Sequence, residues 1–189
     1  MSSLIFKEDI GRDRIADVMR AMGLVPHPTN PAEGMFWQIW MTPDKKSAVH
    51  YVDDLLTKVR YFSVRGKKAG ALTKKLRQQL PIWTRDELLK HALFTLMKGS
   101  EEDIARIAME VAAEMDEYDA ASAGVLAAFL KMDERSTRLA GALAFRSRPF
   151  PLFHSTAEQL AADPDPEIAV IGKALLARII ELHGPSAPL

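Results

Sequence analysis

Asp103-Ile104-Ala105-Arg106-Ile107-Ala108, Arg135-Ser136-Thr137-Arg138-Leu139-Ala140 and Glu167-Ile168-Ala169-Val170-Ile171-Gly172 follow one another at a 32-residue offset. Each carries a large apolar side chain at its fifth position and a small residue at its sixth. The offset continues downstream through Val111, Leu143 and Leu175, then Ala112, Ala144 and Leu176. It also reaches upstream. Leu89, Ala121 and Phe153 align, as do Leu93, Val125 and Ala157, then Leu96, Ala128 and Leu160, then Met97, Phe129 and Ala161. Within each copy these positions run i, i+4, i+7, i+8, which is one face of a helix. Two helices per repeat, three times over, predict an α-solenoid of stacked helical hairpins. The small slot at Ala108, Ala140 and Gly172 lets paired helices approach closely. On this register Leu143 belongs to the buried stripe, and Leu143→Asp is expected to unfold the C-terminal half.

Helix punctuation falls at the same boundaries. Thr84 and Glu87 form a T-x-x-E capping box ahead of Leu88, and Ser100 with Asp103 repeats the arrangement directly after Gly99. Asp133 precedes a helix starting at Glu134. Asp165 is placed as an N-cap with Pro166 in the first helical position, where proline's missing N–H costs nothing. Arg148-Pro149-Phe150-Pro151 separates the second copy from the third.

Asp163-Pro164-Asp165-Pro166-Glu167-Ile168, followed by Gly172 and Ala174-Leu175, resembles the inter-helix turn and second helix of the HEAT and HEAT-like repeat family. The arginine that this family favours in its second helix matches Arg106 and Arg138, while position 170 is Val. The resemblance covers residues 84–184 and implies a binding scaffold. The family also includes DNA glycosylases with cationic concave surfaces. Here the segment from Thr84 onward carries 11 Lys/Arg against 17 Asp/Glu, a net of −6, which opposes a phosphate backbone.

Residues 1–83 read differently. Ile10, Ile15, Val18, Met19 and Met22 give a helix ending at Gly23. Three prolines between Val25 and Pro31 argue against regular structure there. Met35–Thr42, Ala48–Val52 and Lys58–Arg65 read as three strands of an antiparallel meander, joined by the turn residues Pro43–Ser47 and by Asp53-Asp54. A second helix follows, with Ala69, Leu72, Leu76 and Leu80 on one stripe. A sheet this small needs one face covered. The expected chain is therefore mainly α and α+β overall: a small α-β-β-β-α domain (1–83), HEAT-like repeats (84–184) and a short tail (185–189). In outline the order of the first domain resembles small secretion-chaperone folds.

The first domain is basic, with 14 Lys/Arg against 8 Asp/Glu, a net of +6. Asymmetry of this kind bears on partners rather than on fold. Lys58, Arg60, Arg65, Lys67, Lys68, Lys74, Lys75 and Arg77 run without an intervening acid, and Tyr61, Phe62 and Trp83 could offer stacking surface beside them. Nucleic-acid or phosphate binding is thus one alternative. The opposing reading makes these cations a solvated face and puts Phe62 and Val64 in the core. An enzyme using His50, Asp53 or Asp54 between the domains is another alternative. Successive strand residues point to opposite faces, however, so Asp53 and Asp54 make an awkward acid–base pair. The same alternation puts Trp37 and Trp40 on opposite faces.

The five histidines show no ligand spacing, there is no cysteine, and no phosphate-loop, dinucleotide or nucleophile-elbow motif is present. No apolar run approaches the ~20 residues a membrane helix needs, and Met1–Arg14 lacks a signal peptide's apolar stretch. A cytoplasmic, non-enzymatic protein-interaction module without a cofactor is the expectation, acting as an adaptor, chaperone or inhibitor. The second helices supply the candidate ridge: Arg106, Glu110, Glu114, Arg135, Arg138, Arg146, Lys173 and Arg178 lie off the expected stripe, a mixed-charge surface suited to a polypeptide. The end helices of so short a stack need cover, from the first domain or from a second subunit.

Overall fold

The computed structural model describes residues 2–29 and 34–184. Within them the chain is mixed α+β and mainly helical, with eight α-helices and one five-stranded antiparallel sheet. It divides into two compact units, Met1–Glu87 and Leu88–Leu189.

The first unit contains β1 (Ser2–Ile5), α1 (Arg12–Ala21), β2 (Val25–His27), β3 (Met35–Met41), β4 (Ser47–Asp54), β5 (Arg60–Gly66) and α2 (Ala69–Gln79). The spatial order is β1-β5-β4-β3-β2. Strand alternation sends Leu4, Trp40, Val49, Tyr51, Phe62 and Val64 to one face, where they meet Ile15 and Met19 of α1 and Leu72 and Leu76 of α2 in a single core. Phe6 and Tyr51 pack edge-on against Phe62, with centroids 4.7 and 5.8 Å away. Trp40 is buried and Trp37 exposed, as alternation requires.

The three-strand expectation is corrected to five. β1 is four residues long and has no turn signal to announce it. β2 forms in the proline-rich stretch because it is the sheet's outer strand and pairs only with β3 (Pro26 opposite Trp40), and edge strands tolerate a residue without an N–H. Asn30 and Pro31, from the same expected loop, lie outside the described residues, as does the tail 185–189.

The second unit takes in most of α3 (Arg85–Lys98), then α4 (Glu101–Glu114), α5 (Ala120–Leu130), α6 (Arg135–Ser147), a 3₁₀ turn at Pro151–Phe153, α7 (His154–Ala161) and α8 (Pro166–His183). Ser100 caps α4 by accepting from Asp103 N, and Asp165 caps α8 by accepting from Glu167 N and Ile168 N. At α3, Thr84 N donates to Glu87 while Glu87 N donates to Thr84, closing the capping box. The cap of α6 is Glu134 rather than Asp133, and its side chain makes no capping bond.

α5 pairs with α6 and α7 with α8, while α4, α6 and α8 pack side by side. Arg148, just beyond α6, donates to the Ala112 and Ala113 carbonyls at the end of α4 (2.9 and 2.6 Å). Arg135, at the start of α6, reaches Asp165 and Glu167 at the start of α8. Like ends meet like, so these three helices run parallel.

Burial corrects the repeat register. Leu143 is 39% exposed, whereas Val111 and Leu175 are 1% and 0% exposed. The buried set runs Ile104, Ile107, Ala108 and Val111 in α4, Thr137, Ala140, Gly141 and Ala144 in α6, and Ile168, Ile171, Gly172 and Leu175 in α8. From Ala108 to Gly141 the spacing is 33, and from Gly141 to Gly172 it is 31. The uniform 32-residue alignment therefore places the middle copy one residue off. The close-approach slot there belongs to Gly141, where a Cβ would stand 2.9 Å from Phe129 Cβ and Leu130 Cδ2. At Gly172 a Cβ would run into the backbone of Leu160 and Ala161. Among the first helices only α3 departs in this way, with Leu93 and Met97 exposed and Leu88 and Ala92 buried, whereas the expected Leu96, Val125, Phe129, Phe153, Ala157 and Leu160 are buried.

Candidate functional site

The corrected register redistributes the eight ridge residues. Arg106, Leu139 and Val170 now share the outward column of α4, α6 and α8, while Arg138 lies off it. The Arg138 guanidinium folds back onto the Met132 and Asp133 carbonyls (3.3 and 2.6 Å), closing the α5–α6 turn. Arg138 is thus engaged in that turn rather than standing free on the expected ridge. Glu110 is also removed from the exposed ridge, because it is only 9% exposed. Burial pushes its carboxyl up to about 7 against the opposing pull of Arg106, whose Nε is 3.9 Å away. Glu114 is half-buried.

Arg135 is exposed, but it is engaged with Asp165 and, at 2.7 Å, with Glu167. These hydrogen bonds raise its pKa and lower that of Asp165. Arg178 pairs with Glu181 within its own helix, and Arg146 and Lys173 project into solvent. Two residues outside the expected set complete this surface: Leu143 and Val170, at 39% and 64% exposed. The sequence did carry a signal for Val170, since it breaks the arginine pattern of the other copies. Leu143 gave none, because a 32-residue alignment pairs it with two core residues.

Four of the eight cations of the basic segment are engaged by groups of the first unit itself. Arg60 is held by Asp9 and Asp53 (3.0 and 2.9 Å), Lys68 by Asp44 (3.0 Å), and Arg77 by the Trp83 carbonyl. Arg65 Nε donates to Ser63 Oγ at 3.4 Å. Lys58, Lys67, Lys74 and Lys75 are exposed. Phe62 is fully buried and offers no stacking surface, and it points away from Tyr61.

His50, Asp53 and Asp54 are not brought together. Asp53 lies on the core face of β4 and is 3% exposed, with Arg12 donating to one oxygen (2.8 Å) and Arg60 to the other (2.9 Å). The Arg12 guanidinium stands 3.8 Å over the Phe36 ring, so the cluster ties α1 to the sheet. His50 and Asp54 point to the other face. Asp54 accepts from Leu56 N and Thr57 N, and burial with the nearby Arg65 lowers the His50 pKa. Among the described residues no group of three His, Asp or Glu could hold a metal ion, and no helix is long and apolar enough to cross a membrane.

A further surface, which the sequence reading missed, lies between α3 and α4. These two helices do not pack as closely as the α5–α6 and α7–α8 pairs, and their close-approach slot carries Ala108 where the others carry glycine. A groove of about 300 Å³ opens there, lined by His91, Phe94, Thr95 and Lys98 of α3 with Arg106 and Ile107 of α4. Its signal was Phe94 next to the Leu93–Met97 stripe, which a helix paired on one face leaves uncovered. Compared with family models, curated proteins and solved structures, the chain matches none.

Proposed function

We propose that this protein is a non-enzymatic protein-interaction module whose helical unit is a short HEAT-like solenoid presenting its second helices to a polypeptide. The parallel side-by-side packing of α4, α6 and α8 supports the solenoid reading. The observation that carries the binding reading is the exposure of Leu143 and Val170 on α6 and α8, on a surface that also bears Arg146, Lys173 and Arg178. Apolar centres with a charged surround are the composition of protein-binding surfaces, where buried anchors supply affinity and the charges select the partner. A cytoplasmic setting fits the absence of cysteine from the sequence.

The test places a photo-crosslinking residue at Leu143 and a control at the exposed Gln159, in cells of the native host. A discrete protein adduct is expected from position 143 alone, lost on adding Val170→Asp, with the thermal melt unchanged. A nucleic-acid adduct, or identical adducts from both positions, refutes the reading.

A further inference from the structure

At one corner of the first unit two turns bring together lysines that are distant in sequence. The β3–β4 turn carries Lys45 and Lys46, and the β5–α2 turn carries Lys67 and Lys68. Lys67 N donates to the Lys46 carbonyl at 3.1 Å, and Lys68 N donates to Ser47 Oγ at 2.8 Å. Gly66 permits this approach, since a Cβ there would stand 2.2 Å from the Lys46 oxygen. Lys74 and Lys75 extend the surface along α2, between the buried Leu72 and Leu76.

Charge at this corner is one-sided. Asp44 shares it and is already engaged, accepting from Thr42 Oγ1 at 2.6 Å, Lys46 N at 3.1 Å and Lys68 Nζ at 3.0 Å. Lys45, Lys46, Lys67, Lys74 and Lys75 are exposed and meet no carboxylate among the described residues. α2 contains no Asp or Glu, and no side chain caps its N-terminus. The space beside Gly70, in its first turn, is open, which leaves that positive helix end accessible to an anion. Clustered ammonium groups repel one another, and a polyanion laid across them relieves that repulsion while shedding its own counterions.

The residues between the lysines select among polyanions. Ala71, Gln78 and Gln79 are exposed on α2, and its large apolar side chains, Leu72 and Leu76, are buried. A polypeptide finds no anchor on such a surface, a lipid bilayer has no apolar side chain to take in, and a single strand has no ring on which to stack its bases. Ammonium and amide donors suit the phosphates of a double helix, contacts that position without reading sequence. The segment from Thr84 onward, at a net of −6, opposes phosphate, so the role falls to the first unit.

We propose that the first unit docks on the backbone of a nucleic-acid duplex through Lys45, Lys46, Lys67, Lys74 and Lys75, without sequence preference. Lys58, at the other end of β5, takes no part. This goes beyond the polypeptide-binding reading, and either stands without the other.

Fluorescence anisotropy of a labelled mixed-sequence DNA duplex, titrated with the full chain over a range of salt concentrations, tests this. Four or five phosphate contacts predict that log K falls with log salt at a slope of about −4. Lys67→Gln combined with Lys74→Gln should make that slope shallower by about 2 and weaken low-salt binding at least about tenfold. Lys90→Gln combined with Lys131→Gln removes the same charge at exposed sites of the helical unit and should leave both readouts unchanged, with the thermal melts of all variants alike. Leu143→Ser should not alter duplex binding, so failure of the ridge is distinguishable from failure of this surface. No binding at low salt, a slope near zero, or equal weakening by the two lysine pairs would each overturn the proposal. So would binding of the matched single strand, of phosphatidylserine vesicles or of a polyglutamate peptide as tightly as the duplex.

Discussion

Leu143 and Leu175 are equivalent by a 32-residue alignment and inequivalent by burial, so a matched pair of alanine substitutions measures the register directly. Leu175 is 0% exposed. Truncating it removes the transfer free energy of the lost carbons and leaves a cavity, together about 3–4 kcal/mol. Leu143 is 39% exposed, so less apolar surface is lost there and the space left behind is open to water. Its cost should be about 1 kcal/mol. A helical unit of this size shifts by roughly 4–8 °C per kcal/mol. Leu175→Ala should therefore lower the melt of the helical signal by roughly 15–25 °C, and Leu143→Ala by about 5 °C. Circular dichroism at 222 nm during heating, checked by urea titration, reads both. Equal losses would refute the 33-then-31 spacing and restore Leu143 to the core. The expectation that Leu143→Asp unfolds the C-terminal half is withdrawn on the same ground: an exposed aspartate remains hydrated.

Gly172→Ala should destabilise by more than about 2 kcal/mol in urea unfolding, although alanine is intrinsically the better helix former by about 1 kcal/mol. The added Cβ meets the backbone of α7 rather than a flexible side chain, and a neutral or stabilising result would mean that α7 and α8 lie farther apart. Glu110 predicts a pH dependence of definite sign. Its folded pKa, about 7, lies above the ordinary value of 4.5, so the unfolded chain ionises first. The stability this group contributes is full below about pH 4.5 and is lost as pH rises through 7, by roughly 3 kcal/mol. Glu110→Gln should remove that loss, so wild type and variant should match near pH 4 and diverge by pH 8. A constant difference between them would mean that the carboxyl is hydrated.

What the sequence made legible was local. The Ser100 and Asp165 caps, the Thr84–Glu87 box and the opposite faces of Trp37 and Trp40 depend on neighbours within a few residues, and the chain states those neighbours outright. The Leu72–Leu76 stripe of α2 was legible for the same reason, since a helix with one covered face repeats at a fixed period. β1 and β2 were not: a four-residue strand and a proline-bearing edge strand exist because β5 and β3 offer them hydrogen bonds across the sheet.

The candidate site divides along the same line. The sequence determined that charged residues interrupt the apolar pattern of α4, α6 and α8, because composition and spacing are its own properties. Only the tertiary structure decided which of them stand free in solvent. Arg138 was taken by the Met132 and Asp133 carbonyls, Glu110 was buried, and Leu143 was turned outward by a one-residue change of spacing, about 100° around a helix. The groove beside Phe94 belongs wholly to that second level, since it exists through the distance between α3 and α4, and no pattern within either helix encodes how far apart two helices stand.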